Sequence, residues 1–399
     1  MIRAWLVVLL CSVMIMMGAG PVYYAYGNYA VAFAKDFGAP ITVINVGFTM
    51  VGIVGNLGSA PVGMALDRWG IRSVASVGIV GTALGFLLVS VSTGIWQIVI
   101  LFGTLIAMAD VCIGVVCTSY LVSHWFNRRR GLALGLSVLG ASVAAILFPP
   151  LTDMLIRQEG WRATFVIYAG AMLALLPAVW LLARLPDDFP PAERTGTAPR
   201  GQDARMPLAD LFRHRGFWIL SFVTGVMTGV NTGTMVSLVT FAGTRGLTTG
   251  QGSLLLSVIG GCAVVGKILI GFSIDRLSHV TALRIGVALQ FSGMVFLALA
   301  PGFTTMLMAV AVFGFGIGAM LPVWSASIAG LFGLSGYGRA LGWSRAAMTP
   351  VAMAFPLMAG MIFDSTGSYV WTWSCFAILL GVAFMALFAM PRAKAPGIS

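Results

Sequence analysis

A lysine interrupts the apolar run "VVGKILIGFSIDR" at residues 264–276, and its type and position could do chemistry in two ways. The first is phosphate binding. Gly261-Cys-Ala-Val-Val-Gly266-Lys267 satisfies the opening of a phosphate-cradling loop, yet Ile268 stands where a Ser or Thr must reach the magnesium. The motif also needs a strand before it and a helix after it, and the residues ahead of Gly261 do not read as a strand. The second is anion binding by a buried cation. Two further ionisable residues, Asp110 and Arg345, lie deep in apolar stretches and could act with Lys267. Elsewhere the chemistry is sparse. Cys11, Cys112, Cys117, Cys262 and Cys375 all fall in apolar runs and read as small packing residues. His124, His214 and His279 form no metal-ligand cluster, and neither a nucleophile motif nor paired catalytic carboxylates are found. The pattern predicts no enzyme activity, no metal and no cofactor.

The elements that must position these residues are membrane helices. The 399 residues are 59% hydrophobic and 9% charged, with a mean hydropathy of +0.98. A soluble fold could not hide that much apolar surface, so the solvent is lipid. Apolar runs of about twenty residues fall near 4–34, 41–66, 73–93, 95–122, 131–156, 163–183, 216–243, 250–274, 282–300, 304–332, 339–362 and 369–390. They make twelve spans. Arg3 followed by an apolar stretch ending at Gly20 resembles a secretory signal, but the apolar character runs on, so an uncleaved first helix is expected. Residues 185–215 are polar, charged and proline-rich and read as a flexible cytoplasmic linker between two six-helix bundles, 1–184 and 216–399.

Charge placement predicts the orientation. With both termini in the cytoplasm, basic residues such as Arg68, Arg72, Arg129, Arg213, Arg284 and Arg339 fall inside, and only Lys35, Arg157, Arg162 and Arg245 fall outside. That bias is the positive-inside rule. It also accounts for the net charge of +11 without nucleic acid. The expected location is therefore the cytoplasmic (inner) membrane, multi-pass.

The chain repeats itself. "GSAPVGMALDRWG" (58–70) aligns with "GKILIGFSIDRLS" (266–278), so that Gly63, Asp67 and Arg68 fall on Gly271, Asp275 and Arg276. Ala133-Leu-Gly135 and Pro149 match Ala340-Leu-Gly342 and Pro356 at nearly the same offset. Two related six-helix halves are a transporter signature, with substrate held near the bilayer midplane.

Gly63-Met-Ala-Leu-Asp67-Arg68-Trp-Gly70-Ile-Arg72 resembles the G-x-L-x-D-R-x-G-x-R loop of the major facilitator superfamily, and Asp275-Arg276 repeats its core. The resemblance implies an all-α membrane protein of two pseudo-symmetric bundles, with Gly63, Asp67, Arg68, Arg72, Asp275 and Arg276 in gating. "WFNRRRGLALGLSVLG" (125–140) is similar to the fifth-helix signature of the monocarboxylate porters, a family that includes proton-coupled lactate carriers and oxalate:formate exchangers. "YGNYAVAFAKDFG" echoes that family's first helix, but the lysine of its proton-coupled animal members is absent from residues 26–33.

Depth now places the cations. Lys267 lies eight residues from Asp275, about 12 Å into the span, close to the midplane of a core about 30 Å thick. Arg345 lies six residues past Arg339, about 9 Å in. A charge at the bilayer centre costs at least ~2.5 kcal/mol, so two such cations call for an anion. Asp110 could neutralise one of them; a substrate carboxylate could serve both. The resemblance implies the latter, because basic residues of helices eight and eleven bind carboxylate in that family. Asp110 sits at the centre of the fourth span, where an acid either carries a proton or acts as a structural hydrogen-bond partner; both remain open. Tyr26, Tyr29 and Trp324 either belong to interfacial aromatic belts or wall the cavity. The expected function is secondary transport of small mono- or dicarboxylates by alternating access, as exchange or proton symport. The expected partners are the carboxylate, the bilayer and, for symport, a proton, with the chain acting as a monomer. A proton-driven drug exporter of the same fold is the alternative, and Asp110 alone argues for it.

Overall fold

The computed structural model describes residues 2–126, 130–184, 208–273, 278–300, 302–332 and 337–390. Among the described residues the chain is helical and contains no strand, and nine helices are long and apolar enough to cross a membrane. Two of the nine, Ile41–Ser90 and Leu132–Leu182, run 50 and 51 residues. At 1.5 Å per residue each is about 75 Å long, enough for two crossings of a core about 30 Å thick. Each is in fact broken at a glycine, Gly70 (φ 75°, ψ 163°) and Gly160 (φ 81°, ψ 161°), whose backbone residues with a Cβ avoid, and the second is interrupted again by a turn at 174–175. Gly70 is the glycine of the Asp67-Arg68-Trp-Gly70 turn, so that motif ends the second span and starts the third. Tenth-span residues lie in Phe303–Phe332, which holds the shorter apolar run Phe303–Gly318. Each of the twelve spans read from sequence thus has its own helical segment.

The chain divides into two compact units, Met1–Ala198 with Met235–Ser257, and Pro199–Thr234 with Val258–Ser399. The first unit has an aromatic core: the Tyr29 and Phe165 rings lie 4.5 Å apart, Tyr26 and Phe102 5.3 Å, and Phe33 and Trp161 5.2 Å. Besides the turn in its sixth span, its first and fourth spans are irregular. The first widens into a π turn at Gly20–Tyr24, where Pro21 has no N–H to give the preceding turn. The fourth passes through a π segment, Phe102–Ile106, and then breaks at Gly114, whose ψ of −157° is extended. In the second unit, the helices His279–Leu299 and Phe303–Phe332 meet at Gly293, where a Cβ would lie 2.7 Å from that of Phe313. The end of the expected linker is ordered as a short helix, Leu208–Arg213. Its Leu211 is buried, and its Phe212 ring lies 5.4 Å from Trp343, so apolar burial overrides the polar character of the segment around it.

Close packing of the first and fifth spans depends on Gly140. A Cβ there would collide with the backbone carbonyl of Ser12, whereas one at Gly135, on the same helix, meets nothing within 4 Å. Gly140→Ala is expected to destabilise the protein by about 1–3 kcal/mol through overpacking. Gly135→Ala is expected to be neutral or to gain up to about 1 kcal/mol from helix propensity. Thermal unfolding of the two variants in detergent, side by side, checks the pair.

Candidate functional site

Lys267 and Arg345 both belong to the second unit. Lys267 lies well inside the helix Thr249–Ser273 and is half-buried; Arg345 lies in Tyr337–Thr366 and is exposed. Three glycines set the environment of Lys267. A Cβ on Gly266 would lie 2.5 Å from the carbonyl of Phe315, and one on Gly314 would lie 2.8 Å from that of Ile259. A Cβ on Gly318 would meet the backbone nitrogen of Lys267 itself. The eighth and tenth spans are therefore in backbone contact at the level of the lysine, and the contact fixes its height in the unit.

Arg345 is anchored from its neighbour. The indole of Trp324 donates to Ser344 Oγ at 3.1 Å, and Ser344 shares a second hydrogen bond with Ser221 at 3.0 Å. Trp324, Ser344 and Ser221 are all buried, so this chain ties the seventh, tenth and eleventh spans together one residue before the arginine. The Thr349 hydroxyl donates to the Arg345 carbonyl at 2.8 Å and reinforces the same turn. The structure thus brings Trp324 next to the Arg345 turn. It gives Tyr26 and Tyr29 a packing position in the first unit. Both are fully buried, and the Tyr26 hydroxyl donates to the Ile44 carbonyl at 2.6 Å.

Asp110 is buried in the first unit, between the two irregular spans. Its Oδ1 would lie 2.5 Å from a Cβ on Gly18, just before the π turn, and its carboxylate is hydrogen-bonded by the Tyr23 hydroxyl inside that turn. Four residues on, the fourth span breaks at Gly114, whose carbonyl takes the Thr118 hydroxyl at 3.0 Å. Asp110 takes no part in the rim ion pairs Arg157–Asp153 and Arg162–Asp36.

Of the loop motif, Asp67 and Arg68 are exposed at the end of the second span, and Gly63 is half-buried one turn earlier. Arg72 lies 5.8 Å from the Trp180 ring, with Nε and Nη2 buried and without a hydrogen-bond partner. Asp275 and Arg276 lie outside the described residues. Sequence reasoning did not pick out Asn28, Ser253 and Ser257, which the structure joins to the fifth span. An asparagine inside an apolar run and the Pro149-Pro150 pair were the available signals.

The model of the Major Facilitator Superfamily matches residues 6–312 and 221–398. Monocarboxylate transporter 11 of Homo sapiens is 28% identical over 350 residues, 84% of this chain and 72% of that protein. Monocarboxylate transporter 13 of Bos taurus is 27% identical, covering 86% of this chain and 79% of that protein. An uncharacterized MFS-type transporter of Escherichia coli (strain K12), YhjX, is 23% identical, covering 78% and 77%. Among solved structures, a bacterial homolog to the human lysosomal transporter Spinster, in an inward-facing and unoccupied conformation, superposes with a TM-score of 0.74 over 99% of this chain and 98% of that one, at 13% identity. That likeness concerns the fold.

The hydrogen-bond chain beside Arg345 yields a stability test. Ser344→Ala strands the buried Trp324 N–H and the Ser221 hydroxyl, at a cost of about 1–3 kcal/mol. Trp324→Phe combined with Ser344→Ala removes both ends of the bond and is expected to recover part of that loss, as measured by thermal unfolding of the single and double variants.

Proposed function

The chain belongs to the Major Facilitator Superfamily of transporters, and from that premise we propose that its substrates are small organic carboxylate anions, carried by alternating access. Lys267 and Arg345 hold the anion. The observation that carries this reading is that both cations stand within membrane helices of one unit, each beside a dedicated packing device. Lysine offers a compact point charge, and arginine a planar fork that grips a carboxylate through two parallel hydrogen bonds. Two such groups suit a dicarboxylate end to end, or one carboxylate and a second polar group. Support also comes from relatives that are named monocarboxylate transporters. Trp324 serves by steadying the Arg345 turn, and Tyr26 and Tyr29 by stiffening the first unit. Gly63, Asp67, Arg68 and Arg72, with Asp275 and Arg276, act in gating. A drug exporter for cations would place acids, not bases, along its path.

Asp110 is the group to carry a coupling proton. Its burial beside two irregular spans supports this, since interrupted helices and intramembrane acids mark ion pathways. Should Asp110 carry the proton, Asp110→Asn abolishes uphill accumulation in proteoliposomes and leaves anion exchange intact; unchanged proton-driven uptake removes it from the pathway.

The substrate site is tested with Lys267→Ala and Arg345→Ala, each assayed for exchange of radiolabelled lactate, pyruvate, oxalate and succinate. Losing one charge-assisted hydrogen bond is worth about 1.5–3 kcal/mol, so each variant is expected to lose roughly tenfold or more in apparent affinity. Folded variants that retain the parent's affinity for every anion the parent carries would place the site elsewhere.

A further inference from the structure

The seventh span, Arg215–Thr244, carries a run of polar side chains through the membrane, and one of them differs from the rest. The Thr224 hydroxyl donates to the Leu220 carbonyl at 2.7 Å, Thr228 to the Thr224 carbonyl at 2.7 Å, and Thr232 to the Gly229 carbonyl at 3.0 Å. Each is satisfied by its own helix, the ordinary arrangement for a threonine inside a span. Asn231 has no such return. Its Oδ1 is buried and accepts no hydrogen bond, which is costly where lipid excludes water.

Contacts along the span fix where Asn231 stands in the second unit. Near the start, Ser221 meets Trp324 of the tenth span through Ser344. Two turns on, the Thr228 hydroxyl also points to Met320 Sδ at 3.3 Å. The two spans therefore run antiparallel, and each step forward in the seventh is a step back in the tenth. From Thr228 to Asn231 the helix rises about 4.5 Å, which carries Asn231 from the level of Met320 to that of Gly318. Gly318 is the residue whose added Cβ would meet the backbone nitrogen of Lys267, so Asn231 stands at the height of the lysine. Thr224, Thr228 and Asn231 are spaced to share one helix face. That face looks to Met320 and, through Thr224, to Met348, one turn after Arg345 in the eleventh span.

An open acceptor at that height calls for a donor. Water can supply one, and so can a ligand. Among ligand donors an ammonium is disfavoured, because the charges of Lys267 and Arg345 repel it. A carboxylate has no hydrogen to give. What suits the three side chains together is an anion with a neutral hydroxyl beside its carboxylate: the cations take the charge, and the hydroxyl donates to Asn231 Oδ1. A fixed hydrogen-bonding group selects the ligand that uses it, since an analogue without the hydroxyl leaves the buried group unmatched.

We propose that Asn231 is a third substrate-binding residue, and that it tunes the site to hydroxycarboxylates over acids of similar size that lack a hydroxyl donor. The inference rests on the carboxylate reading of Lys267 and Arg345. Ligand-dependent thermal shift of the purified protein in detergent tests it, with lactate set against pyruvate and propionate, and malate against succinate. One neutral hydrogen bond is worth roughly three- to tenfold in affinity, and the parent is expected to favour the hydroxy acid of each set by that factor. Asn231→Leu keeps the volume and removes the acceptor; it and Asn231→Ala are each expected to bring the ratio close to one. A parent that binds these anions without preference, as it would if water alone filled the acceptor, would overturn the inference and leave the carboxylate site standing. So would variants that keep the parent's ratio. If neither variant folds, the parent's own ratio decides. A parent that binds none of the five overturns the inference, and one that ignores oxalate as well overturns the carboxylate reading with it.

Discussion

Hydrocarbon supplies no hydrogen bonds, and every polar group within a span must therefore find its partner in the protein. The helices answer that demand almost everywhere with their own backbone, and side-chain hydroxyls fold back on it, as Thr224 does to the Leu220 carbonyl at 2.7 Å and Thr234 to the Val230 carbonyl at 2.6 Å. At some departures from regular helix a polar side chain lies close by. The π turn at Gly20–Tyr24 surrounds the tyrosine that meets Asp110. At the break, the Gly114 carbonyl accepts both the Thr118 N–H at 3.1 Å and its hydroxyl at 3.0 Å. The carbonyl that Pro150 leaves open is filled by Ser257.

The same constraint makes charge informative. A cation near the midplane persists only if what it binds offsets the cost of placing it there. Lys267 is set by backbone contact with Gly318, and Arg345 by the Trp324–Ser344–Ser221 chain. Neither device requires substrate. Both fix the height of the backbone that carries a cation.

Much of the fold was legible in the sequence because lipid imposes a length and a composition on each crossing. The turn in Asp67-Arg68-Trp-Gly70 could be read because the residues match a known loop motif, and Gly70 there adopts a positive φ of 75°. Lys267 and Arg345 stood out for the same reason, as charges where charge is scarce. What could not be read were relations across the fold. Tyr26 and Tyr29 carry no mark in sequence that separates cavity wall from aromatic core, and only the 4.5 Å approach of Phe165 to Tyr29 and the bond from Tyr26 to Ile44 show them packed. Asn28 and Ser253 are 225 residues apart, so no local pattern joins them. Nor does periodicity announce that Leu208–Arg213 is helical, since its order comes from Phe212 meeting Trp343.

The account turns on the charge of what is carried, and ligand-induced thermal stabilisation of the purified parent protein measures that most directly. A ligand that binds only the folded state raises the melting temperature in proportion to the logarithm of its concentration over its dissociation constant. Screened over mono- and dicarboxylates and over lipophilic cations at matched ionic strength, the protein is predicted to be stabilised by one or more carboxylates and by none of the cations. Stabilisation by lipophilic cations with no response to any carboxylate would contradict the account and point to a drug exporter.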